Sequence, residues 1–83
     1  MTVTMSRDQA DTAVRAALQG FATDAEIAAL APDEPLREAL ELDSIDFLTF
    51  VERLSARKDF RIEEDDYPRL TTVSSCVDFL TAH

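Results

Sequence analysis

Ser44 stands between Asp43 and Asp46 in the stretch LELDSIDFL, residues 40–48, with apolar side chains crowding both sides. A serine that acts as a nucleophile needs a base within hydrogen-bond reach and donors for the oxyanion it creates. Neither is visible. There is no G-x-S-x-G elbow, and the single histidine is His83, the last residue, at a position that usually frays. Intrinsic hydrolase chemistry is set aside, and no catalytic residue is expected. If Ser44 reacts, another protein must supply the catalysis.

The other reactive-looking groups have plainer readings. Cys76 lies on an apolar stripe and reads as a small core residue rather than a thioester or redox thiol. The run Glu63, Glu64, Asp65, Asp66 lacks the alternating D-x-D-x-D-G spacing that wraps calcium, and adjacent carboxylates on a helix diverge. It reads as a solvated acidic face, with no metal site expected. Arg53, Arg57 and Lys58 read as solvated cations, or as partners of Asp59 and Glu52, rather than a nucleic-acid patch.

The elements that must position Ser44 are helical. Ser6 and Gln9 match a capping box, and Ala10, Ala13, Val14, Ala17, Leu18 and Phe21 then recur at the spacing of one apolar helix stripe. Gly20 falls where a helix end wants a left-handed residue. Residues 1–5 are expected to fray. Residues 22–42 form a long connection, in which Thr23 and Glu26 cap a short turn carrying Ile27 and Leu30 before Pro32 and Pro35 interrupt it. Leu36, Leu40 and Leu42 fold this segment back onto the core. A second helix starts at Asp43, whose carboxylate can accept from the N–H of Ile45 or Asp46. Its buried stripe is Phe47, Phe50, Val51 and Leu54. At about 100° per residue, Ile45 falls nearly opposite that stripe and Leu48 well off its centre. Pro68 limits residues 59–70 to a short third helix anchored by Phe60, Ile62, Tyr67 and Leu70. Thr72 caps a last helix with Val73, Cys76, Val77 and Leu80 on its apolar stripe, helped by Phe79.

The pattern predicts an all-α, single-domain four-helix bundle, three longer helices and one short, over residues 1–83. With 83 residues, a chain buries about 60% of its unfolded surface, too little for both a core and a deep preformed active site. The net charge of −9 disfavours nucleic acid and anionic lipid and favours partners with basic surfaces. One cysteine cannot form an internal disulfide, which fits a reducing compartment. No signal-peptide or membrane-spanning stretch is apparent, so a soluble, cytoplasmic protein is expected, and a monomer is expected as well. Ser44 thus sits at an exposed helix start, where free N–H groups and the dipole favour a phosphate, beside apolar side chains that the core does not need.

From about residue 36 onward the sequence resembles an acyl carrier protein of the phosphopantetheine-binding superfamily. The resemblance rests on the D-S-[LIM]-D core at Asp43, Ser44, Ile45 and Asp46, the acidic short segment with its Ile62-to-Leu70 spacing, and the helix start at Thr71, Thr72 and Val73. DFLTFV and DDYPRLTT look most like stand-alone bacterial carriers. The resemblance implies that a phosphopantetheinyl transferase moves 4'-phosphopantetheine from coenzyme A onto Ser44. The arm's thiol would carry acyl or aminoacyl groups as thioesters to an activating ligase, an acyltransferase or synthase enzymes. Asp43, Ile45, Asp46 and Leu48 would form the recognition patch for these partners. Where many relatives have a glycine before the first Asp, this chain has Glu41 and Leu42, and its second helix carries Thr49, Arg53, Arg57 and Lys58 where fatty-acid carriers usually carry Glu. That points to a specialised pathway. Two other readings compete: an unloaded carrier homologue acting as a structural or regulatory subunit, and an acidic decoy of nucleic acid.

Overall fold

Ser6 opens the first helix as the sequence predicts. Its hydroxyl accepts from the Gln9 N–H at 3.1 Å while the Gln9 side chain accepts from the Ser6 N–H at 2.9 Å. The computed structural model describes residues 5–58 and 62–82. The lead-in 1–4, the expected pairing acid Asp59, the expected anchor Phe60 and the terminal His83 lie outside the described residues. Met5, expected to fray, instead packs half-buried against the core.

The elements are α1 (Arg7–Ala17), α2 (Asp24–Ala28), α3 (Leu36–Ala39), α4 (Ser44–Lys58), a 3₁₀ helix (Glu64–Arg69) and α5 (Val73–Thr81). The three longer helices and the short acidic one stand where the sequence puts them, and the chain is all-α among the described residues. Two refinements concern the short pieces. The third helix of the expected bundle is a 3₁₀ helix holding Pro68, which has no N–H to give to a longer α-helical ladder. The connection carries α3 as well as α2, so the returning leucines lie on and just beyond a helical turn.

Packing follows the predicted stripes. Val14 and Leu18 from the first helix, Phe50 and Leu54 from α4, and Val73, Cys76 and Leu80 from α5 are fully buried, joined by Leu36 and Leu70. Among the described residues no polar or charged side chain is buried, so the core owes its cohesion to apolar contact alone. α1 packs chiefly on α5 and secondarily on α4. Phe21, expected on the α1 stripe, is half-buried against the cluster.

Backbone hydrogen bonds then fasten the connection across the bundle. The Leu36 N–H donates to the Thr71 carbonyl at 2.8 Å, and the Ser74 N–H donates to the Pro32 carbonyl at 2.8 Å. Each bond satisfies a first-turn N–H that has no acceptor within its own helix. Thr72 completes a capping box with Ser75 at the start of α5. The α3 turn and the α5 start are therefore held together beside the beginning of α4.

Candidate functional site

Asp43 builds the start of α4. Its carboxylate Oδ1 accepts from the Asp46 N–H at 2.8 Å, and its carbonyl accepts the first intrahelical bond, from Phe47, at 2.9 Å. Of the two expected donors the structure selects Asp46. Ser44 is the first residue of the helix and is exposed. No hydrogen bond from the described residues engages its hydroxyl. The N–H groups of Ser44 and Ile45 lie in the first turn, with no acceptor one turn earlier in the helix. A side chain at that position lies at the positive end of the helix dipole.

The sequence-predicted patch is brought together around it. Ile45 is 73% exposed and Leu48 is 43% exposed, the two large apolar side chains left outside the core among the described residues. Asp43 is exposed and Asp46 half-buried. Apolar side chains kept in water beside carboxylates are expected where a partner docks.

The structure adds a feature that the sequence did not display. Ser44 is among the residues lining an open groove of about 630 Å³. Phe47 and Leu48 of α4 form one wall, Tyr67 and Pro68 of the 3₁₀ helix with Leu70 and Thr71 form another, and Pro35, Arg37 and Glu38 close the side toward α3. The Phe47 and Tyr67 rings meet edge to face, with centroids 5.8 Å apart. Arg37 lies over the Phe47 ring, 5.5 Å from its centroid. Phe47 therefore does two jobs: it closes the core beneath the site and lines the groove above it.

Several of the other charged side chains take structural roles. Arg53, expected to be solvated or paired with an acid, instead donates to the carbonyls of Ala17 at 3.1 Å and Gln19 at 2.6 Å and stacks on Phe21. Those carbonyls end α1, where a cation complements the negative end of the helix dipole. Arg15, which the sequence did not single out, donates to Asp11 at 2.7 Å and to the Ile27 carbonyl at 2.5 Å, tying α1 to α2. In the acidic run, the side chains of Glu63 and Asp66 make a reciprocal cap for the 3₁₀ helix. Among the described residues no three His, Cys, Asp or Glu side chains are grouped to hold a metal ion. No helix there is long and apolar enough to cross a membrane. Cys76 is fully buried on the α5 stripe, and burial pushes its thiol up to about 12.

Among the described residues no hydrogen bond links the Ser44 hydroxyl to a base; Ser44 is exposed and lines the groove. No curated protein matches the chain. A family model does, over residues 13–80, from within α1 to within α5, and its description is the phosphopantetheine attachment site. The match spans most of the sequence and contains the whole of α4, so the chain belongs to the phosphopantetheine-binding carrier family.

Proposed function

We propose that this protein is an acyl carrier whose Ser44 bears 4'-phosphopantetheine and presents acyl or aminoacyl thioesters to partner enzymes. One observation carries the reading: within the matched region, exposed Ser44 is the first residue of α4 and lines a largely apolar groove. In the modification, Ser44 Oγ forms a bond to the phosphorus that bears the pantetheine portion of coenzyme A. The pyrophosphate P–O bond breaks, adenosine 3',5'-bisphosphate leaves, and the serine proton passes to a base on the transferase. The carrier supplies the alcohol, its orientation and a recognition surface. The arm, once attached, contributes a thiol that holds the cargo as a thioester.

The residues divide that work. Asp43 fixes the start of α4 through the Asp46 N–H and so sets where the hydroxyl points. Ile45 and Leu48 offer exposed apolar contact, and Asp43 and Asp46 offer charge to a basic docking surface on the transferase, ligase, acyltransferase or synthase. The net charge of −9 steers such partners in and makes their association salt-sensitive.

Incubation with coenzyme A and a broad-specificity phosphopantetheinyl transferase, followed by intact-mass measurement, tests the proposal. Wild type is expected to gain one phosphopantetheine, and Ser44→Ala none while remaining folded. An unmodified wild type, or a gain that survives Ser44→Ala, would defeat the assignment.

A further inference from the structure

A phosphodiester on Ser44 places a further negative charge next to Asp43 and close to Asp46, in a chain of net charge −9. The helix dipole offsets part of that repulsion. The cation among the groove's lining residues is Arg37. Its guanidinium carbon lies 5.5 Å from the Phe47 ring centroid, and Phe47 follows Ser44 by three residues. That spacing sets their Cβ atoms about 5–6 Å apart on one helix face. Ser44, Phe47 and Arg37 line the same groove.

Three other arginines are committed elsewhere, and none of them lines this groove. Arg7 and Arg15 pair with Asp78 and Asp11, and Arg53 holds the end of α1. Arg37 makes no ion pair among the described residues, although Glu38 and Glu64 also border the groove. Its rest position over an aromatic face is a weak hold at an exposed site. A phosphodiester offers a stronger one, because two guanidinium N–H groups can bind two phosphate oxygens side by side.

Building on the reading of Ser44 above, we infer that Arg37 is a positioning residue for the arm. It leaves the Phe47 ring to pair with the phosphodiester and directs the arm's first bonds over the groove. Lysine would replace the charge but not the fork.

The test follows the Arg37 Nε–H resonance of ¹⁵N-labelled protein before and after transferase treatment, with conversion verified by intact mass. Melting temperatures are taken for the unmodified and modified forms of wild type, Arg37→Gln, Arg37→Lys and the off-groove control Arg57→Gln. The wild-type resonance is expected to shift on modification and to return toward its original position in concentrated salt. The melting change on modification should be less favourable in Arg37→Gln than in wild type by about 2–5 °C, intermediate in Arg37→Lys and unaltered in Arg57→Gln. Full mass conversion with a stationary Arg37 resonance and equal melting changes in wild type and Arg37→Gln overturns the role of Arg37 and leaves Ser44 as the attachment site. Failure of wild type to gain mass removes both. The wild-type resonance needs no variant to fold or to be recognised.

Discussion

Glu41 holds a backbone that favours glycine. Its φ is +53°, and the Leu42 N–H donates to the Arg37 carbonyl at 2.9 Å, the long closing bond of a Schellman turn that ends α3. Many members of the resembled family carry glycine just before the motif aspartate, and the turn supplies a physical reason: an L-residue in the left-handed region costs about 1–2 kcal/mol. Glu41→Gly should therefore stabilise the protein. Glycine's extra freedom when unfolded offsets part of the gain, leaving about 0.5–1 kcal/mol, measurable as a higher urea midpoint with an unchanged slope. The variant should accept phosphopantetheine as wild type does, because Asp43 would still set the start of α4. A loss of stability would mean that the Glu41 side chain has a favourable role beyond its backbone.

Two arginines act at the scale of the elements, each holding the carbonyl end of a helix on another segment. Arg53 binds the end of α1 from α4, and Arg15 binds the Ile27 carbonyl as α2 ends. Arg53→Met keeps an apolar stem over Phe21 but loses the donors. It should cost about 1 kcal/mol in equilibrium unfolding, with amide exchange accelerated first at Leu18 and Gln19. These roles were not legible in the sequence, because the acceptors of Arg53 lie 34 and 36 residues away and nothing local marks them. The caps at Ser6, Thr23 and Thr72 and the stripes of α1, α4 and α5 were legible, since donor, acceptor and period all fall within a few residues. The α3 turn was not, because Pro35 gives it no side-chain cap and the Leu36 N–H finds its acceptor at Thr71. At the site, Ser44 and its exposed neighbours could be read from helix geometry alone. The groove could not, since its walls come from three segments that only folding brings together.

The whole molecule carries its charge entirely outside an apolar core, at least among the described residues. With a net charge of −9 over 83 residues, self-repulsion opposes compaction and is screened as salt rises. The melting temperature should therefore increase between dilute buffer and about 0.5 M sodium chloride, where the screening length falls to a few ångströms. Over the same range, association with a basic partner should weaken. A melting temperature that fell with salt would assign more of the stability to surface ion pairs such as Arg7–Asp78, at 2.9 Å. Size compounds the effect: a chain this short has little stability in reserve, so a repulsive surface is felt in the fold as well as in its encounters.

The enclosure of Cys76 has a practical corollary for following cargo. Its sulfur is sealed in the core and resists ionisation up to about 12, so a thiol-specific dye at pH 8 should leave the native polypeptide unlabelled. A protein bearing a free pantetheine arm should take up one equivalent, an acylated one none, and either form should expose Cys76 when denatured. Colorimetric titration of native samples would then count vacant arms directly, with no need to engineer the cysteine away.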